Sequence, residues 1–178
     1  MKEFVEIPDG VELIVNEKEV VVKGPKGEIK KDFSNPVFDA IITIKNENKK
    51  FTIDVSSDRK KLIAFKGTIF AHVSNMIKGV TEGFTYKMKV IYTHFPMTIE
   101  VKNDRVEVKN FFGEKGFRKA KIVGDVKVKA TKENIEITGI DIEDVSQTAA
   151  NIEQSCQITK KDKRIFHDGI YITEKVKK

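Results

Sequence analysis

Two periodicities alternate along the chain, and the alternation occurs twice. Val11, Leu13 and Val15 fall on one face of an extended segment, with Glu12, Ile14 and Asn16 on the other. Residues 19–23 return after the turn Asn16-Glu17-Lys18, so the spacing predicts a hairpin. Gly24-Pro25-Lys26-Gly27 supplies a tight turn, because Pro fixes one backbone angle and Gly provides the unusual one. Residues 28–33 then form a third strand that Asn35-Pro36 breaks, and residues 37–45 and 51–55 pair around the polar stretch Asn46-Glu47-Asn48-Lys49. From residue 60 to 78 the step changes to three and four: Leu62, Phe65, Ile69, Val73 and Met76/Ile77 mark one face of a helix. Ser57 or Asp58 is its expected cap, and Gly79 its expected end.

The plan then repeats. Residues 84–93 are strand-like, Pro96 opens a hairpin of residues 97–102 and 105–109 around Asn103-Asp104, and residues 126–130 and 134–138 pair around Thr131-Lys132-Glu133. RVEVKNFFGEKG from Arg105 parallels EVVVKGPKGEIK from Glu19: a Val-rich strand ending in Lys, a Gly-bearing turn, then a basic strand. A second helix follows over residues 144–158, with Val145, Ala149, Ile152 and Cys156 on its apolar face. Asp144 with Gln147 makes a capping-box pattern for it, while Asp141 and Glu143 are expected outward on a strand whose inward residues are Ile140 and Ile142. Strands then helix, twice, at about half the chain length is a weak internal duplication. The expected class is α+β: two similar domains, residues 1–83 and 84–178, each a small antiparallel sheet packed against one helix. No Pro- or Ser-rich linker separates them, so close coupling is expected.

Composition narrows the possibilities. Among 178 residues, hydrophobic types make up 39% and charged types 34%, which suits folded domains with highly charged surfaces and argues against wholesale disorder. Net charge is +6, favouring a polyanionic partner. The single cysteine excludes a disulfide within the chain and fits a reducing compartment. No apolar run reaches a membrane-spanning length, and MKEFVEIPDG lacks the apolar core of a secretory signal, so an intracellular, unprocessed protein is expected.

Catalysis lacks its parts. His72, His94 and His167 lie in three separate elements, none at metal-ligand spacing from another, and no cofactor or metal is expected. Cys156 on an apolar helix face reads as a small buried hydrophobe. GPKG lacks the longer glycine spacing of a phosphate-cradling loop, and neither a nucleophile elbow nor a dinucleotide fingerprint occurs. A hydrolase using His167 and Asp168 would need both poised in a pocket.

Binding finds more. The stretch KNFFGEKGFRKAK sets Lys109, Lys115, Arg118, Lys119 and Lys121 against the single acid Glu114, with three phenylalanines and two glycines interleaved. Cations tracking phosphates displace counterions, and glycines permit close backbone approach. Phe112 and Phe117 are expected to anchor the loop in the core. A second cluster, Lys160, Lys161, Lys163 and Arg164, follows the second helix, where cations also complement the helix dipole. Only four arginines occur, and Arg118 and Arg164 sit within these clusters, where a guanidinium can fork onto phosphate.

HVSNMIKGVTEGFTYKMKVIYTHFP from His72, VKNFFGEK from Val108 and DIEDVSQTAANIEQSCQITKKDKRIFHDGIYI from Asp141, together with GPKG, run nearly the length of the chain. In that order they resemble the large-subunit ribosomal protein six family in its archaeal/eukaryotic form (protein nine in eukaryotes). The resemblance implies two similar α+β domains and a non-enzymatic protein of the cytoplasmic ribosome. It implies large-subunit rRNA binding near the sarcin–ricin loop and stalk base, mainly through the C-terminal domain. Neighbouring ribosomal proteins and translation factors would lie close by, and no membrane is involved. The implied contact surface covers Lys109, Asn110, Lys115, Arg118, Lys119 and Lys121, and also Lys160, Lys161, Lys163, Arg164, His167 and Tyr171.

Overall fold

The computed structural model describes residues 4–16, 18–34, 42–47, 50–55, 59–159, 161–162 and 164–177. The expected cap residues Ser57 and Asp58, the break at Asn35-Pro36 and part of the 37–45 strand fall outside them, as do Lys160 and Lys163. The chain divides into two compact units, Met1–Glu82 and Gly83–Lys178.

In the first unit, β1 (Phe4–Glu6), β6 (Lys50–Val55) and β5 (Ile42–Glu47) form one antiparallel sheet in the order β1-β6-β5. A second sheet contains β2 (Glu12–Asn16), β3 (Glu19–Gly24) and β4 (Gly27–Asp32). The helix α1 (Lys60–Thr81) lies against both. Alternation in the sequence does its expected work: Val20, Val22 and Ile29 are buried from the sheets, and Leu62, Ile69, Phe70, Val73, Met76, Ile77 and Val80 from the helix. Gly79 does not end α1. It is buried within the last turn, and the helix continues to Thr81, with Gly83 taking the positive φ of 75°. Arg59 stands at the N-cap position, and its own side chain makes no capping hydrogen bond.

The second unit repeats that order. The strands β7 (Phe84–Ile91), β12 (Asn134–Gly139) and β11 (Lys127–Ala130) stand as β1, β6 and β5 do, while β8 (Thr98–Val101), β9 (Arg105–Lys109) and β10 (Phe117–Lys121) stand as β2, β3 and β4. Two antiparallel sheets and one helix per unit make the fold α+β with two similar halves, each with one sheet more than the sequence pattern suggested. The second unit adds β13 (Gly169–Lys177), which pairs antiparallel with the free side of β7 to give the order β11-β12-β7-β13. Among the described residues of the first unit, nothing corresponds to it.

The second helix, α2 (Ile142–Ser155), starts earlier and stops earlier than its apolar pattern suggests. Its cap is Asp141, whose Oδ1 accepts the Glu143 amide at 2.8 Å; Asp144 lies inside the first turn and Gln147 donates to Asn151, so the expected box of Asp144 with Gln147 does not form. The preceding strand ends at Gly139, and Asp141 and Glu143 are therefore helix residues rather than the outer face of a strand. Val145, Ala149 and Ile152 pack onto Phe84, Tyr86, Met88, Val90, Ile135 and Ile137 from the inward positions of the sheet. Thr148 is buried with its hydroxyl accepting the Val123 amide at 3.0 Å, so its polar atom is satisfied in the core.

Candidate nucleic-acid interface

The β3–β4 turn of the first unit closes tightly, with Gly24 opposite Gly27. Its counterpart in the second unit is expanded to residues 110–116, between Lys109 and its ladder partner Phe117. A short 3-10 turn, Phe111–Gly113, forms inside it. Asn110 (φ 60°) and Phe112 (φ 53°) are both left-handed, a conformation that strains non-glycine residues by about 1–3 kcal/mol each. The surroundings hold it: Phe111 is buried in the core, the Asn110 side-chain Nδ2 donates to the Pro96 carbonyl at 3.0 Å, and the Phe112 ring meets Phe111 edge-on at 4.9 Å.

Arg118 is the hub of this loop. Its Nε and Nη2 fork onto Glu114 at 3.0 and 2.7 Å, its Nη1 donates to the Ser155 carbonyl at the end of α2 at 2.9 Å, and its guanidinium lies 4.4 Å from the Phe111 ring centre. The hydrogen bonds from Arg118 hold the Glu114 carboxyl below its usual range, and the same bonds push the guanidinium up. Outward along β10, Phe117, Lys119 and Lys121 are exposed, alternating with Arg118 and Ala120. Phe117 is not the expected core anchor: it is 48% exposed and carries the Lys119 ammonium 4.9 Å above its ring. Phe112 is half-buried against the core, as an anchor should be. Lys115 is exposed. Lys109 is engaged with Glu100 across the β8–β9 pair at 2.6 Å.

The second basic cluster meets the first. Lys161 places its ammonium 4.5 Å from the Phe166 ring and 5.2 Å from the Phe112 ring, and the two rings are 5.9 Å apart. Asp162 folds the following turn, accepting the Arg164 amide on its side chain and the Ile165 and Phe166 amides on its carbonyl. Arg164 is left exposed. His167 is also exposed and its carbonyl accepts the Tyr171 hydroxyl at 3.3 Å; Tyr171 covers Gly169, and burial raises its phenol. Asp168 is buried with Oδ1 accepting the Thr93 amide at 2.9 Å, so it ties β13 to the end of β7 while His167 faces solvent.

Cys156 is buried, and that burial pushes its thiol up, the opposite of a nucleophile's environment. Among the described residues no group of three His, Cys, Asp or Glu side chains converges for a metal. Their helices include none long and apolar enough to cross a membrane. Sequence spacing missed Phe166 and the Ser155 carbonyl, the two groups that join the basic segments; a lone Phe in KDKRIFHD and a backbone oxygen carry no local pattern.

A cation-rich loop and turn stand on a duplicated α+β frame, an arrangement suited to binding a polyanion. The family model for ribosomal protein L6 matches residues 7–83 and 95–169, once in each unit. Three archaeal proteins named "Large ribosomal subunit protein uL6" are each 47% identical to the chain. The protein from Methanobrevibacter smithii aligns over 98% of the chain and 96% of its own length, that from Ignicoccus hospitalis over 95% and 91%, and that from Sulfurisphaera tokodaii over 97% and 91%. The chain belongs to the ribosomal protein L6 family. It is accordingly a structural constituent of the large subunit of the cytoplasmic ribosome and not an enzyme.

Proposed function

We propose that the second unit binds large-subunit rRNA near the sarcin–ricin loop and the base of the stalk, and so supports the region where translation factors land. The observation that carries this reading is the meeting of two basic segments, residues 109–121 and 160–171, through Phe112, Lys161 and Phe166. Lys115, Lys119, Lys121 and Arg164 are exposed there, while the nearby acids Glu114 and Asp162 are occupied by Arg118 and by backbone amides. Cations so placed neutralise phosphates where RNA helices converge, and recognition rests on backbone and shape more than on base edges. Lys109, Asn110, His167 and Tyr171 belong to the same proposed contact set, and Lys160 and Lys163 join it on their place in the sequence alone. Neighbouring ribosomal proteins and the stalk base adjoin it.

Filter binding to a large-subunit rRNA transcript across a salt series tests it. Lys119→Ala and Arg164→Ala should each weaken binding and flatten the log–log salt slope by roughly 0.7–0.9. A slope unchanged in both overturns the contact assignment. Backbone footprinting of the same complex should protect the sarcin–ricin loop and stalk base, and protection confined to other helices overturns the location.

A further inference from the structure

The duplication gives Arg118 a counterpart whose job is visible. In the first unit the β3–β4 turn lies against the end of α1: the Lys26 amide donates to the Val80 carbonyl at 3.0 Å, and Lys26 Nζ donates to the Glu82 carbonyl. In the second unit the β9–β10 hairpin also reaches the end of its helix, from Arg118 at the start of β10, whose Nη1 donates to the Ser155 carbonyl at 2.9 Å. Both units thus bring a hairpin cation to the C-terminal carbonyls of their helix, where the dipole leaves partial negative charge. The rest of the Arg118 guanidinium is committed as well, to both Glu114 oxygens and to the face of Phe111. Lys161 is held comparably, between the rings of Phe112 and Phe166.

We propose that Arg118 and Lys161 are positioning residues and not phosphate contacts. They act as two cation–aromatic staples that fasten the β9–β10 loop to the end of α2 and to the connection before β13, so that the exposed cations of both segments form one rigid RNA-facing surface. The inference rests on the RNA-binding reading above and assigns different roles within it. Its physical content is entropic. Without the staples the two segments would have to be ordered when RNA arrives; with them the ordering has been done on folding. A staple therefore sets affinity without setting the number of phosphates neutralised, whereas a contact lysine sets both.

The discriminating variants remove a staple without changing net charge: Phe166→Leu, and the double substitution Arg118→Gln with Glu114→Gln. The measurements are salt titrations of the full chain against the large-subunit rRNA transcript and hydrogen exchange of the free protein. Each variant should bind about threefold to tenfold more weakly with the wild-type salt slope, as expected when an ordered segment must be re-immobilised on binding. Exchange should accelerate at the amides of residues 111–117, and Phe166→Tyr, which keeps the ring, should restore wild-type affinity. A slope flattened by one contact in the Arg118/Glu114 variant would show that Arg118 touches phosphate and overturn its assignment. Wild-type affinity for Phe166→Leu would overturn the Lys161 staple. Should Phe166→Leu fail to fold, Lys161→Gln changes only an exposed side chain, and unchanged exchange at residues 111–117 in that variant sinks the staple. A wild-type protein whose RNA affinity ignores salt would instead bring down the RNA-binding reading itself, and the two failures are thereby told apart.

Discussion

Glu107 is a buried charge of the second unit that two cations hold in place. It is only 2% exposed, yet it lies on β9 between Lys102 at 2.7 Å and Arg105 at 2.8 Å. Those partners, the Lys102 hydrogen bond foremost, hold its carboxyl below its usual value of 4.5 against the opposing effect of desolvation. A folded-state value lowered in this way contributes stability above the ordinary carboxylate range, and the contribution disappears as pH falls through the lowered value. Glu107→Gln should therefore unfold at lower denaturant than wild type at pH 7, and the gap should close as the pH is brought below about 4. Denaturation midpoints taken across that range check it, and a gap that stays constant with pH contradicts the assignment.

At the scale of elements, the start of α2 depends on two small features. Asp141 supplies the cap, and Gly139 clears the way for the helix: a Cβ at that position would lie 2.7 Å from Val145 Cγ2. Asp141→Ala should cost about 0.5–2 kcal/mol for a lost cap, and Gly139→Ala about 1–3 kcal/mol for overpacking, both read from thermal or chemical unfolding. The same two residues explain why α2 starts at Ile142, ahead of the start that its apolar pattern suggests. Asp141 and Asp144 stand three positions apart and either begins a plausible helix, so the local pattern does not choose between them; the close approach of Val145 to Gly139 does, and that is a packing fact. The two helices, the hairpins around Asn103-Asp104 and around Thr131-Lys132-Glu133, and the duplication were legible because they rest on periodicity and turn chemistry. The candidate site was legible as two charged stretches. Their junction was not, since Arg118 finds Ser155 at a distance of 37 residues and Phe112 finds Phe166 farther still.

For the molecule as a whole, the duplication separates architecture from function. Both units share the strand order and the helix, and both bring a hairpin cation to the end of the helix. Only the second has the lengthened β9–β10 loop and, among the described residues, the additional strand β13 with its basic lead-in. The formal charge of +6 is thus less informative than where its unpaired members gather. Lys26→Ala in the first unit should lower stability slightly, by about 0.3–1 kcal/mol as for other cations at a helix C-terminus. The salt slope of RNA binding should stay at its wild-type value. A flattened slope for that variant would mean that the first unit also carries phosphate contacts.

The pairing of β13 with β7 has a consequence in time. These strands begin 85 positions apart, at Phe84 and Gly169, whereas β2, β3 and β4 are joined by short turns. Closing a long loop carries an entropic cost before its contacts reward it, so local hairpins should form early and the β7–β13 ladder late. During synthesis the first unit can complete itself while β13 is still unmade. The basic lead-in then docks last, and pulse-labelled exchange during refolding should find the β2–β4 amides protected before those of β13. The two segments of the proposed RNA-facing surface would thus meet only at the end, the β9–β10 half already folded as a local hairpin and the lead-in to β13 arriving once the frame that carries it is in place.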